Sequence, residues 1–383
     1  MKNPDVYQVI QKIYDSSSSS NFSGFDPFDG LNSSYIYPLV RWNKTLRLAL
    51  LQFNKLSPIN FRILLGNKPG VNPKSLALFL SGVSYNKSIF PEDSIDKLLG
   101  LINEHSINYG EGLGWGYNFD WQNRAFFIPK NTPTVVNTSF IVHALIDAYE
   151  ETENPICLDI VKRTIPFYTK DLNIDYSEKG ACFSYTPIDK TKVHNANLLA
   201  AGALARLSKY FESNNITMLI NDCVDYGLNG QSLEGSWIYG SHISQNWVDS
   251  FHTGFNLEAL THVAKSNIYS NKSLLIDSID LGHKYYLDNF FGKSGEPHYF
   301  NNKKYPYDIH TSAQAMSYLS MTSDRKSNEI LKKVIRWTHK NMFNNKYFFY
   351  RKNKYFTNKI NYLRWSQAWM FYGLSKAAKA NKL

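Results

Sequence analysis

A chain of 383 residues, 43 % apolar and 15 % aromatic, can fill one large core or two small ones, which excludes a disordered chain. No run approaches the roughly 18 apolar residues of a membrane span, the first twenty residues hold no apolar signal core, and Cys157, Cys182 and Cys223 are too scattered for a disulfide framework or a zinc pattern; we expect a cytoplasmic protein without cofactor or metal. The net charge of +10 is concentrated late, with 15 Lys or Arg and a single acid, Glu329, from Arg325 onward, which marks either a solvated basic face or an anionic partner.

Such a partner would be a charged glycan, a nucleotide- or lipid-linked sugar, or phospholipid headgroups, so contact with a membrane surface stays open. No recognition module for nucleic acid accompanies the charge. Composition sets no oligomeric state.

In chain order, residues 1–35 read as an N-terminal helix and a flexible connection, "SSSSSNFSG". Residues 36–383 read as one domain of repeated helix pairs. A weak first copy is "NPKSLALFLSGV", from Asn72. Stronger ones are "VVNTSFIVHALIDAY", "KVHNANLLAAGALARL", "SQNWVDSFHTGFNLEAL" and "DIHTSAQAMSYL", and the last is "YLRWSQAWMFYGL". Between them lie second helical patterns such as "PICLDIVKRTIPFYTKDL" and "NEILKKVIRWTHKNMF". Six pairs, each burying an apolar stripe on its neighbours, predict an all-α (α/α)6 toroid.

Gly- and aromatic-rich segments precede the first helix of most pairs: "GLGWGYNFDWQ", "GACFSYTPID", "GSWIYGSH", "GEPHYFNN" and "KYFFYRKN". They predict short hairpins or tight loops crowding one mouth of the ring. Trp115, Tyr117, Trp121, Tyr185, Trp237, Tyr239, Tyr299 and Tyr350 would come with them as platforms for sugar faces, or as core.

His194, His252 and His310 stand at equal spacing of 58 residues (252 − 194 and 310 − 252), each where a first helix begins. Asn137 and Arg364 occupy the neighbouring slots. A shared register would bring all five to one layer near the ring axis. Histidine moves protons near neutral pH, and two on opposite sides of a pocket suit an epimerase or isomerase. Hydrolysis would need paired carboxylates, for which Asp120, Asp249, Asp308, Asp26 and Asp29 are available. Elimination would need a base plus Tyr185, Tyr239, Arg124 or Arg364. Three histidines also suit zinc, but the i, i+4 spacing of helical metal sites is absent. Asp249 and Asp308 further fit helix N-caps. The candidate catalytic set is His194, His252, His310, Asp249 and Tyr239. The candidate substrate-binding set is Trp115, Tyr117, Asp120, Arg124, Asn137, Tyr185, Asn195, Trp237, Asp308 and Arg364.

"QSLEGSW", Gln231 to Trp237, resembles the Q-x3-G-x-W repeat of squalene cyclases and prenyltransferases, without their Asp-rich catalytic motif. The predicted ring with axial histidines is similar to N-acylglucosamine 2-epimerase and glucuronyl epimerase or hydrolase toroids. Over nearly the whole chain, "GFDPFDGLNS", "GWGYNFDWQNRAFFIPKNTPTVVNTSF", "KVHNANLL", "WVDSFHTGF" and "YPYDIHTSAQA" resemble a family from bacterial O-antigen and capsule gene clusters. Its members often bear the name delta-aminolevulinic acid dehydratase; that enzyme is a TIM barrel, which a helical repeat excludes. The resemblance implies surface-polysaccharide biosynthesis, by a carbohydrate-active enzyme or by a non-catalytic glycan-binding module.

Overall fold

A computed structural model of the chain describes residues 5–124 and 126–383. In chain order its helices are α1 (Val6–Ser19), α2 (Tyr37–Val40), α3 (Lys44–Leu56), α4 (Pro73–Tyr85), α5 (Ser94–Glu104), α6 (Val135–Thr152), α7 (Pro155–Arg163), α8 (His194–Leu207), α9 (Asn214–Asn229), α10 (Ser250–Ser266), α11 (Lys272–Asn289), α12 (Ile309–Met321), α13 (Arg325–Met342) and α14 (Trp369–Lys379). Helices α4, α6, α8, α10, α12 and α14 pack each on the next, and α14 returns to α4, closing an inner ring. The protein is an (α/α)6 toroid.

Inner helices touch neighbours on every side, so they are buried nearly all round and built from small or apolar residues. A side chain at Gly202 would press on the Ala259 backbone, 3.0 Å away, which is why α8 and α10 can approach so closely there. Outer helices are amphipathic. In α13 the stripe Leu331, Val334, Ile335, Thr338 and Met342 faces inward and the Lys-rich side faces solvent. Asn72, Thr134, Asp249 and Asp308 cap their inner helices with side-chain oxygens.

Five outer helices follow their inner partners in sequence. The sixth comes from the opposite end of the chain: α1 packs on α14. The expectation of six pairs after residue 36 is corrected accordingly. So is the expectation of a flexible serine linker. Ser16–Ser19 complete α1, Phe22 is fully buried, and Ser23–Gly24 pairs antiparallel with Gly70–Val71. Burial of Val6, Val9, Ile10, Ile13, Tyr14 and Ser17 along one stripe overrides the weak helix propensity of the serines.

The two ends of the ring differ. One is plugged by buried ion pairs: Arg206 Nη1 to Asp147 Oδ1 at 2.7 Å and Lys376 Nζ to Glu258 Oε1 at 2.8 Å. The other carries the N-termini of the inner helices and the hairpins. Over it lies a cap, residues 29–67, containing α2 and α3 and a small apolar cluster of Leu31, Leu50 and Leu51. Arg47 Nη2 donates to Gln122 Oε1 at 2.7 Å, and Arg62 Nη2 donates to the Asp26 carbonyl at 2.9 Å, fastening the cap to the mouth.

Of the late cluster of basic residues, Arg351, Arg364 and Lys376 are drawn inside and ion-paired. That part of the expected basic face is not surface. Among the described residues, no helix is long and apolar enough to cross a membrane.

Candidate functional site

The hairpins fix the register of the mouth by one repeated bond. The first N–H of an inner helix donates to the carbonyl of an aromatic in the segment that follows its pair: Val135 to Tyr185, His194 to Tyr239, Ser250 to Tyr299, Ile309 to Tyr350 and, where α14 is entered through a wide helical turn, Leu363 to Phe25. Pro73 opens α4 and has no N–H to give. The second positions are therefore Lys74, Val136, Asn195, Phe251, His310 and Arg364.

This register corrects the sequence reading of the three histidines. They do begin inner helices at the same end, but His194 is the first residue of its helix, His310 the second and His252 the third. Each step turns a side chain by about 100°. The 58-residue spacing holds because unequal loops compensate unequal registers. His194 consequently faces outward. It stacks on Tyr226 of α9 with ring centroids 5.4 Å apart, over Gly230, where any side chain would strike the ring. Burial lowers its pKa to about 4. It takes no part in the mouth.

His310 and His252 remain. The His310 ring lies between Trp365 and Trp369, with centroids at 4.3 and 4.4 Å, and against Phe251 at 4.8 Å. Among the described residues neither of its nitrogens has a hydrogen-bond partner. Desolvation, and then the charges of Lys74, Arg364 and His252, hold it neutral, with its pKa well below the ordinary value. His252 also packs on Phe251, at 4.2 Å. Its Nδ1–H donates to Asp249 Oδ2 at 2.6 Å, which fixes the tautomer that leaves Nε2 as an acceptor. Among the described residues Nε2 bonds nothing, and the ring is partly open to solvent. Asp249 Oδ2 also accepts from Trp247 Nε1 at 2.8 Å, while Oδ1 accepts the His252 N–H at 3.0 Å. Asp249 is thus a cap and an orienting group at once. Tyr239 leans on His252 at 4.5 Å and stacks flat on Trp247 at 4.7 Å, giving an aromatic wall.

Cations line the same layer. Arg364 makes a two-bond pair with Asp26 at 2.6 and 2.8 Å, beside a small cavity of about 10 Å³ that Asn72 and Ser75 also line. Lys74 is buried with its ammonium over the Phe140 ring at 4.6 Å, and desolvation, then the Arg364 charge, drives its pKa well down. From the cap, Lys55 lies over Phe28, its pKa lowered to about 8 by burial and then by Arg351. Asp308 caps α12 and is held by Arg351 at 2.6 Å and Trp365 Nε1 at 2.8 Å. The Tyr117 and Tyr185 hydroxyls meet at 3.1 Å, with Arg364 over the Tyr117 ring. Asn195 Oδ1 and both amide atoms of Asn137 are buried without partners among the described residues.

Other expected rim residues lie elsewhere. Trp115 and Trp237 are core: their indole N–H groups donate to the Ile102 and Gly227 carbonyls at 2.8 and 2.9 Å, beneath the outer helices. The Q-x3-G-x-W stretch is a brace. Gln231 Nε2 donates to the Gly235 carbonyl at 3.2 Å and to Ser278 O at 3.0 Å, across a turn in which Gly235 has φ +96°. Tyr350 is buried beside Tyr362, its hydroxyl unpaired. Asp120 accepts from Tyr37 of the cap and from the Lys130 N–H, and Arg124 is exposed at the outer rim. Sequence reasoning missed Lys74, Phe251, Trp247, Trp365 and Trp369. The signal for Lys74 was available, as the one charge in an otherwise apolar helix.

No protein-family profile and no curated protein matches this sequence. Solved structures do share its fold. They include the cellobiose 2-epimerase of Bacillus thermoamylovorans (12 % identity over 79 % of this chain and 87 % of that one, TM-score 0.58). The GH76 alpha-mannanase of Bacteroides thetaiotaomicron is similar at 14 % identity, 81 % and 85 % coverage and a TM-score of 0.61. A D-mannose isomerase is similar at 10 % identity, 82 % and 87 % coverage and a TM-score of 0.59.

Proposed function

We propose that the mouth binds a sugar and exchanges a proton at one of its carbons, as an epimerase or isomerase. The observation that carries this reading is the pair of imidazoles packed against Phe251: His252, held by Asp249, and neutral His310, whose nitrogens have no hydrogen-bond partner among the described residues. Sugar-active enzymes of the same fold support it.

One imidazole takes the proton from a carbon next to a carbonyl or carboxyl group. The C–H electrons move into a C=C bond and the carbonyl π electrons onto oxygen. The oxyanion develops beside the Arg364 guanidinium, whose charge the Asp26 pair secures. Returned by the same imidazole to the neighbouring carbon, that proton completes an isomerisation; an epimerisation needs the other imidazole to enter the step protonated and give its proton to the opposite face. A free reducing sugar meets the requirement in its open form. A nucleotide- or lipid-linked sugar meets it only through a carbonyl or carboxyl away from the linkage. The cationic layer favours an anionic sugar, and Tyr239 with Trp247 supplies a face for the ring.

Hydrolysis is supported less well. Asp26, Asp29 and Asp308 are each tied to an arginine, Asp120 to Tyr37 and Lys130, and Asp249 to His252. A retaining or inverting pair needs two carboxyl groups free to meet the substrate. The resemblance to O-antigen and capsule cluster proteins supports a place in surface-polysaccharide assembly, in the cytoplasm.

The test is solvent exchange. Candidate sugars, including mannose, glucose, glucuronate and their oligomers, are incubated with the protein in deuterium oxide and followed by NMR. Deuterium at one carbon, lost in His252→Gln, is the expected result. Tight binding with no exchange in any of them would make the chain a glycan-binding module.

A further inference from the structure

Among the described residues, no other element covers the outer face of the cap. Nine of the 21 exposed large apolar side chains among the described residues fall within residues 35–64, a density the rest of the surface does not approach. On α3, Leu46, Ala49, Phe53 and Leu56 form one outward stripe at helical spacing, opposite the buried Leu50, Leu51 and Asn54. Phe53 stacks on Phe61 at 5.3 Å, extending the stripe toward Ile63. Trp42, at 80 % the most exposed of the group, leads into α3 with Arg41 against its ring.

The apolar face continues into a second element. Asn358 Nδ2 donates to the Ser57 carbonyl at 2.7 Å, which fastens the hairpin Arg351–Lys352/Thr357–Asn358 to the end of α3. The tip of that hairpin presents Tyr355, 86 % exposed, and Phe356. Charge around the face has one sign. No Asp or Glu occurs from residue 30 to residue 91, while Arg41, Lys44 and Lys68 stand exposed at the cap, and Lys354 and Lys359 flank the hairpin tip.

We propose that this face, the outer stripe of α3 with Trp42 and the Tyr355–Phe356 hairpin tip, docks the protein on an anionic phospholipid surface. Aromatic and aliphatic side chains with interspersed Lys and Arg match the boundary between acyl chains and negative headgroups. A second copy of the chain fits worse. A two-fold contact through this face would set its cations against their own images with no carboxylate to pair them. Docking would hold the mouth beneath the cap at the bilayer. The inference does not depend on the reaction proposed above.

Co-sedimentation of the full chain with vesicles tests it. The protein should sediment with phosphatidylglycerol vesicles at low salt, be released by added salt, and stay in solution with phosphatidylcholine vesicles. Lys44→Glu and Lys354→Glu should each weaken binding by about fivefold or more, the value of one cation at an anionic surface. Trp42→Ala should weaken it further. These side chains are exposed, and an unchanged melting temperature confirms that the variants fold. Failure of the wild type to sediment with phosphatidylglycerol would overturn the proposal. So would equal binding to both lipids, or a dimer by light scattering that Trp42→Ala dissociates without any lipid binding.

Discussion

Asp249 shows how one side chain can answer to two readings of a sequence. An aspartate before an inner helix reads as a cap, and Asp249 is one; its second oxygen also grips His252 and Trp247. Asp249→Asn keeps an acceptor for the helix. It sets an amide N–H₂ where two donors now point, so the His252 proton is driven to Nε2. We expect deuterium exchange to fall about 10²- to 10⁴-fold. Stability should fall by only about 1 kcal/mol, for the weakened Trp247 bond. Exchange within a few-fold of wild type in both Asp249→Asn and His252→Gln would return the pair to capping. His194→Asn, by contrast, should leave exchange nearly unchanged, because that ring faces α9. The capping preference of Asp was legible in the sequence because it is local. The split between His194 and the other two was not, because the register depends on a hydrogen bond to a tyrosine carbonyl that lies far onward in the chain, Tyr239, Tyr299 or Tyr350. Trp237 teaches the same lesson in reverse. A tryptophan beside glycines reads as a platform, yet Gly282 opposite it makes a slot in which the indole is buried. Trp237→Ala should cost about 3–5 kcal/mol in urea titrations; a variant of wild-type stability with weakened sugar binding would restore the platform.

At the scale of elements, helix pairs were legible because each first helix carries small and apolar residues at helical spacing and each second one an amphipathic stripe. The closure of the ring was not legible. Helix α1 has a clear stripe, but its partner α14 lies at the far end of the chain, and no local pattern says which apolar face a stripe will meet. The structure makes α1 indispensable. Val6, Val9, Ile10, Ile13 and Tyr14 are buried, and fully burying such a side chain contributes about 1.5–3 kcal/mol. Their sum rivals the roughly 5–15 kcal/mol of a whole native protein. Deleting residues 1–20 should therefore leave the chain aggregated or without a cooperative transition. Adding a peptide of those residues should recover soluble protein. A truncated chain that melts cooperatively near the wild-type temperature would show that α14 needs no cover.

The whole molecule carries an unusual number of histidines folded away uncharged, and this gives its stability a predictable dependence on pH. Burial, then the Arg206 charge, lowers the pKa of His143 to about 3, and burial lowers that of His194 to about 4. Burial is also the main cause for His262 and His310, both held well below the ordinary value, with neighbouring cations adding to it. In the unfolded chain all four would titrate near 6.5. Above that pH the rings are neutral in both states and the folded protein forfeits nothing. As pH falls from 6.5 toward 4 the unfolded chain binds protons that the folded one refuses, so stability must fall. His194 alone accounts for something on the order of 3 kcal/mol by the foot of that range. Most acids in ordinary surroundings titrate lower; the exception is Asp29, which burial raises to about 6, so that the folded state takes up one proton there and offsets part of the histidine effect between pH 6.5 and 5. Urea midpoints should drop steadily across that interval, with a slope of several protons taken up on unfolding, because His283, His298 and His339 are lowered too. His194→Asn should shift the whole curve, because the ring fills the space over Gly230, and also flatten it by about one proton. The slope, not the offset, is the diagnostic. A midpoint constant from pH 7 to pH 5 would mean that these rings are protonated in the fold or reach solvent. His310 would then be a cation on the axis, unable to accept the proton that the proposed exchange requires of it.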